Sequence, residues 1–147
     1  MARIFILNGV NLGSLGERRP EVYGLQTLQD IERLLHDAFP DAELEFRQTD
    51  HEGEFIGWIQ EAANSDGLVL NPGAWTHYSY AIHDALEVVS IPKVEVHLSN
   101  VHARGERWRR HSVVSPVVDA VVAGMGVHGY RVAVGYILDG RGSPGAG

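Results

Sequence analysis

The sequence contains no cysteine, and that absence excludes disulfides, thiolate nucleophiles and every cysteine-ligated metal site. Positive charge is also scarce. Twelve Lys and Arg stand against 19 Asp and Glu, a formal net charge of −7, which argues against nucleic acid or an anionic membrane as the main partner. No apolar run approaches the length of a membrane span, and residues 1–8 lack the layout of a signal peptide. The expected setting is therefore the cytoplasm, with no membrane partner. What remains is ordinary for one folded domain: 147 residues, 44% hydrophobic and 21% charged. Eight histidines are the most versatile chemical resource in the chain.

Short β-rich runs alternate with longer amphipathic segments. Arg3 to Asn8 is a compact apolar run ending at Asn-Gly, a buried first strand. Residues 9–26 are too irregular for either element, and a loop that long in a small domain is usually functional or mobile. Thr27 to Asp30 approximates a capping box, with Ile31, Leu34, Leu35 and Phe39 on one helical face until Pro40. Glu43–Gln48, Gly67–Leu70 and Lys93–Leu98 read as further strands, while residues 53–63 and 79–88 read as helices. Periodicity alone leaves residues 117–124 and 128–138 ambiguous; the first is expected to be mainly strand and the second helix. Residues 1–139 form a single catalytic domain in this reading, and 140–147 a flexible tail. The alternation implies an α/β fold, a flavodoxin-like doubly wound sheet of five parallel strands with helices on both faces. Ligands in such sheets sit beyond the carboxyl ends of the strands, where strand order reverses.

Three polar clusters lie where that rule requires. Asn8-Gly9-Val10-Asn11 follows the first strand and continues to Arg18, Arg19, Pro20, Tyr23 and Gly24. Asn71-Pro72-Gly73-Ala74-Trp75-Thr76-His77 follows the third. The fourth ends in Glu95-Val96-His97-Leu98-Ser99-Asn100, with Arg104 and Arg109 beyond. Amides, imidazoles, guanidinium groups and a phenol together suit a small, oxygen-rich anion. Taken singly, each cluster is equally a common turn. Gly124-Met125-Gly126-Val127-His128-Gly129 has the form of a dinucleotide fingerprint. Such a site needs a further strand and an acidic residue roughly 20 positions on, and too little chain follows Gly129. Tight packing of the last helix is the better reading. No pair among His51, His102 and His111 has convincing metal-ligand spacing, and structural or interface roles are expected for them.

Together these segments resemble the type II 3-dehydroquinate dehydratases. The resemblance is carried by Asn8-Gly9-x-Asn11-Leu12, Leu15-Gly16-x-Arg18, Tyr23-Gly24, Gln48 to Gly53, Asn71 to Ala74 with Thr76-His77, and Val94 to His102, in the family's order from about Ile4 to Leu138. It implies a cofactor-free, metal-free lyase of the shikimate pathway that converts 3-dehydroquinate to 3-dehydroshikimate and water by anti elimination through an enolate. It also implies a homododecamer built as a tetramer of trimers.

The chemistry needs a base for a carbon-bound proton, a stabiliser for the enolate and an acid for the departing hydroxyl. By resemblance Tyr23 is the base. A free phenol has a pKa of about 10, so it needs a cation beside its anion to work near neutrality. Arg18 matches the family's loop arginine, although Arg19 is a competitor. Asn11 matches the asparagine that holds a water near the enolate oxygen. His97 matches the general acid, and Glu95, two residues earlier on the same strand face, orients it. Asn71, His77, Leu98, Ser99 and Arg109 match substrate-binding positions, with Arg107 and Arg110 competing for the last. Asp84 matches a residue that reaches a neighbouring subunit's site. The chain departs from the family's pattern at Arg19 (usually Glu), Val10 (usually Pro) and His83 (commonly Arg), and its 104–109 run is one residue longer. Two alternatives remain at this point: a flavin- or nucleotide-binding module on the same scaffold, and an assembly protein that has lost activity.

Overall fold

The computed structural model describes residues 1–140, where five strands form one sheet: β1 (Arg3–Asn8), β2 (Glu43–Gln48), β3 (Gly67–Asn71), β4 (Lys93–His97) and β5 (Ala120–Ala123). All neighbouring pairs are parallel, in the spatial order β2-β1-β3-β4-β5. The chain leaves β1 to build β2 on one side, then returns to build β3 on the other, so the strand order reverses between β1 and β3. The expected doubly wound α/β sheet is what the chain forms. The helices are α1 (Pro20–Tyr23), α2 (Leu28–Ala38), α3 (Glu52–Ala62), α4 (Tyr80–Glu87) and α5 (His128–Gly140).

Burial on both faces explains the unbroken apolar run of β1. Ile4 and Ile6 enter a core with Ile31 and Leu35 of α2 and Ala133, Val134 and Ile137 of α5. Phe5 and Leu7 point the other way, into a core with Phe55 and Ile59 of α3 and Ile82 and Leu86 of α4. On β4 the alternation is chemical as well. Val94 and Val96 join the first core, while Lys93, Glu95 and His97 are buried on the opposite face. Buried charges need partners. The Lys93 ammonium finds the Leu86 and Val89 carbonyls at the end of α4, the cation-friendly end of a helix. Glu95 and His97 find each other.

The capping box at α2 forms as its sequence predicts: the Thr27 hydroxyl accepts from the Asp30 amide at 3.2 Å, and the Asp30 carboxylate accepts from the Thr27 amide at 3.0 Å. That amide holds the Asp30 carboxyl below the usual range. Two expectations need correction. The 9–26 segment is not wholly irregular: Leu12–Ser14 makes a 3-10 turn and Pro20–Tyr23 a short helix, because Pro20 at its first turn is preset for helical φ. The fifth strand starts at Ala120 rather than residue 117. Ser115–Val117 is a 3-10 turn, and Asp119 is tied to Lys93 by an amide–carbonyl bond of 2.8 Å and an amide–carboxylate bond of 2.7 Å. Within the glycine fingerprint, a Cβ at Gly129 would lie 3.3 Å from both Val96 and Val122, so this glycine lets α5 seat closely on the sheet. The expected flexible tail lies outside the described residues except for Gly140, the last residue of α5. No described helix is long and apolar enough to cross a membrane.

Candidate active site

The carboxyl ends of β1, β3 and β4 converge on one cleft. Asn8 and Asn71 are register partners at the ends of β1 and β3. The buried Tyr130 hydroxyl, from α5, ties them together: it donates to Asn8 Oδ1 at 2.6 Å and accepts from Asn71 Nδ2 at 3.2 Å. Asn71 Oδ1 accepts from the Gly73 amide at 3.2 Å, so both ends of the Asn71 amide are fixed. Burial pushes the Tyr130 hydroxyl's pKa well up, which keeps it a neutral donor. Just beyond β1, a Cβ on Gly9 would come within 2.4 Å of the Pro72 carbonyl oxygen. Only glycine allows these two loops to approach so closely, and the Gly9 amide donates to the Asn71 carbonyl at 2.8 Å.

At the end of β4, His97 Nε2 contacts Glu95 Oε2, and the two side chains are 7% and 1% exposed. The other carboxylate oxygen accepts from Ser115 Oγ at 2.7 Å and Ser112 Oγ at 3.3 Å. The His77 ring stacks on that of His97 with centroids 6.4 Å apart. His77 Nδ1 lies 2.7 Å from the His111 carbonyl, which can only accept, so Nδ1 carries the proton and Nε2 keeps a free lone pair. Burial depresses the pKa of His77, with the charges of His97 and Arg109 adding to the shift and the His111 carbonyl opposing it.

The third wall comes from the 9–26 segment. Tyr23 lies between two cations, with the Arg18 guanidinium 4.8 Å and the Arg104 guanidinium 5.3 Å from its ring centroid. Arg104 Nη1 donates to the Tyr23 hydroxyl at 3.1 Å and to Ser99 Oγ at 3.2 Å. Arg104 Nη2 is buried and takes no partner among the described residues. The cleft brings together Arg18, Tyr23, Asn71, His77, His97, Leu98, Ser99, Arg104 and Arg109. Leu12, Gly73, Ala74 and Val101 also line it.

Eight of the eleven site residues expected from the sequence therefore share one cleft: Tyr23, His97, Arg18, Asn71, His77, Leu98, Ser99 and Arg109. Glu95 stands behind His97 rather than on the cleft wall. Asn11 is exposed and outside the lining; its backbone is left-handed (φ 67°) and its amide is held by Asp50 Oδ1 at 2.8 Å. Asp84 is outside as well, 80% exposed on α4 and paired with His83 at 3.1 Å. Between competing arginines the geometry discriminates. Arg19 is exposed and pairs with Glu21, whereas Arg18 lines the cleft. Arg107 is exposed and Arg110 is spent on the Arg104 carbonyl, whereas Arg109 lines the cleft. Arg104 belongs to the third polar cluster of the sequence, where nothing local gives it a role, yet it is the group bonded to the Tyr23 hydroxyl. Only the fold reveals it: Arg104 is 9% exposed, and no local pattern in the sequence marks a buried arginine there. Among the described residues, no group of three or more His, Asp or Glu could hold a metal ion.

The sequence matches the family model described as dehydroquinase class II over residues 2–138. It is 54% identical over 138 residues to the 3-dehydroquinate dehydratase of Kineococcus radiotolerans, covering 92% of this chain and 94% of the relative. It is 50% identical over 146 residues to that of Bacillus subtilis, covering 97% of each. The crystal structure of type II dehydroquinase from Propionibacterium acnes superposes with a TM-score of 0.90 at 43% identity, covering 95% of this chain and 97% of that one. These relatives lend no support to a flavin- or nucleotide-binding module on the same scaffold. The chain belongs to the class II dehydroquinase family.

Proposed function

We propose that this chain is a 3-dehydroquinate dehydratase of the shikimate pathway, a carbon–oxygen lyase whose own side chains perform the whole reaction. One observation carries the reading. A phenol flanked by two guanidinium groups shares a cleft with an imidazole backed by a buried carboxylate. That pairing supplies a base and an acid to one substrate. The Tyr23 phenolate, stabilised by Arg18 and Arg104, removes the proton from the carbon next to the ketone. The electron pair passes into the enolate. Collapse of the enolate then breaks the carbon–oxygen bond, and the protonated His97 delivers a proton to the leaving hydroxyl, which departs as water. Glu95 stabilises the imidazolium and, through Nε2, leaves Nδ1 for the substrate. Asn11 is the proposed holder of a water at the enolate oxygen, a task that requires the exposed loop around it to close.

Binding follows the same logic. The neutral His77 offers Nε2 as an acceptor for a ring hydroxyl, and Arg109 donates to another. The Asn71 amide, fixed at both ends, positions the substrate beside His97. The Leu98 and Ser99 amides with the Ser99 hydroxyl meet the carboxylate. The proposal includes a cytoplasmic homododecamer, a tetramer of trimers, in which Asp84 completes a neighbour's site. Exposed Tyr78, Tyr80 and Val88, on or beside the same helix, support a contact there. Sedimentation would read the assembly.

The test is appearance of the conjugated enone, followed by its ultraviolet absorbance after mixing purified protein with 3-dehydroquinate. Tyr23→Phe and His97→Asn should each lower kcat by about 10²- to 10⁴-fold, the range for loss of a general base or acid. Near-normal turnover in either variant assigns that role elsewhere.

A further inference from the structure

We infer that Ser112 and Ser115 are positioning residues for the acid step: their hydroxyls hold Oε1 of Glu95 and keep its other oxygen aimed at His97. The inference rests on the reading of His97 as the acid.

Glu95 is 1% exposed, and a carboxylate taken that far from water needs its lone pairs occupied. Oε2 faces His97 Nε2. Oε1 receives Ser115 Oγ at 2.7 Å and Ser112 Oγ at 3.3 Å. Ser112 has no freedom to do otherwise. Its oxygen already accepts the amides of Val114 at 3.1 Å and Ser115 at 2.9 Å, so both lone pairs are used and its one proton is left for Glu95. Those same bonds fold Ser112 to Ser115 into one tight turn. The turn is anchored, because Val113 and Val114 are buried in the α3/α4 core and the Val113 amide donates to the Thr76 carbonyl at 2.9 Å. Two hydroxyls are thus delivered to one oxygen by a segment that cannot easily swing away.

Their neutrality matters. A lysine or arginine at this place would satisfy Glu95 equally well but would cancel its charge. Hydroxyl donors stabilise the carboxylate while leaving its full negative charge to the imidazolium. His102, Arg110 and His111 line the cavity behind the pair, and among the described residues none of them hydrogen-bonds Glu95.

The experiment compares steady-state kinetics of Ser115→Ala, Ser115→Thr and Ser115→Ala in a Glu95→Ala background, with His97→Asn alongside. Loss of a hydrogen bond to a charged group should lower kcat of Ser115→Ala roughly ten- to hundredfold with KM little changed. The Thr variant keeps the hydroxyl and should return most of the rate. In the Glu95→Ala background, removing the serine should add no more than about a twofold loss, since its partner is gone. If Glu95→Ala does not fold, the Ala-against-Thr contrast decides alone. Ser115→Ala within about twofold of the parent kcat, or an equal loss with and without Glu95, overturns the inference. A fully active His97→Asn would instead overturn the acid assignment on which it rests.

Discussion

Arg104→Ala offers the sharpest test of the proposal that the cleft makes a phenol into a base. Arg104 is 9% exposed, and Nη1 is 3.1 Å from the Tyr23 hydroxyl, so its bond to a phenolate is charge-assisted and poorly screened. A hydrogen bond to a charged group contributes about 1.5–3 kcal/mol. Arg18 still lies 4.8 Å from the ring centroid in the variant's parent geometry, so one cation survives and the loss stays near that range rather than at the larger Coulomb limit. A deficit of about 2–3 kcal/mol corresponds to a kcat lowered roughly 30- to 150-fold. The assay is initial-rate enone formation at saturating 3-dehydroquinate, with circular dichroism and melting to verify the fold. KM should also rise, because Nη1 additionally holds Ser99 Oγ at 3.2 Å. Arg104→Lys should recover part of the rate by restoring charge without the planar fork. A kcat for Arg104→Ala within about threefold of the parent would refute phenolate stabilisation by this group. Equal damage in the Lys and Ala variants would assign the residue to shape rather than charge.

Other perturbations separate scaffold from chemistry. Tyr130→Phe leaves Asn8 Oδ1 and Asn71 Nδ2 short of a partner at a buried site and should destabilise the fold by about 1–3 kcal/mol in urea titration, with kcat falling as Asn71 loosens. Gly57→Ala lies inside α3 where an added Cβ meets nothing within 4 Å, and should raise stability by roughly 0.5–1 kcal/mol without changing turnover. His77 has its pKa lowered by burial, so the folded state binds fewer protons than the unfolded one just below the ordinary histidine value of about 6.5. Its contribution to stability is therefore present above that pH and is lost as pH falls through the window down to the folded value. His77→Asn should flatten the stability-against-pH curve there, whereas an unchanged slope in denaturation at stepped pH would contradict the effect of burial on His77. Dialysis against a chelator should leave turnover intact.

Different parts of the molecule were legible for different physical reasons. β1 announces itself because a strand buried on both faces must be apolar throughout, and Ile4 to Leu7 are all fully buried. Helix α2 was readable because Thr27 and Asp30 satisfy first-turn amides that have no partner within the helix. Signals of that kind are local. The short helix Pro20–Tyr23 has only one turn, too few residues to express a period, so its segment read as irregular. Arg104 escaped assignment for a related reason. It follows one 3-10 turn, Val101–Ala103, and precedes another, Arg107–Arg110, and where such a junction points is set by tertiary packing. Ser112 and Ser115 were equally silent, since a serine pair three apart reads as a turn until the carboxylate it serves is known. Asn71 and His97 end strands β3 and β4, and His77 closes the turn that follows β3, so all three stand at the carboxyl edge of the sheet where the strand pattern already directs attention.

The two departures of the loop and of the 104–109 run are connected in space. Arg19 Nη1 is 3.9 Å from Glu106 Oε1, while Glu106 also faces Arg104 Nε at 3.8 Å and Arg109 Nε at 3.5 Å. A backbone hydrogen bond, then Arg109, Arg104 and Arg19, hold the Glu106 carboxyl below its usual range, so it is charged near neutrality. The arginine at position 19 thus has a carboxylate to meet on the 104–109 run. Because Glu106 is 39% exposed, salt screens these pairs, and they bias the loop's position rather than lock it. Their larger effect is on sign. Two carboxylates, Glu21 and Glu106, set among Arg19, Arg104 and Arg109, with Arg18 beyond, still leave a local excess of positive charge beside the cleft of a protein whose net charge is −7. An anionic substrate is repelled by the molecule at long range, where salt weakens the field, and attracted only where the guanidinium groups are close. On the proposed reading, recognition is confined to the cleft, and the arginines that draw the substrate in include the one assigned to stabilise the base.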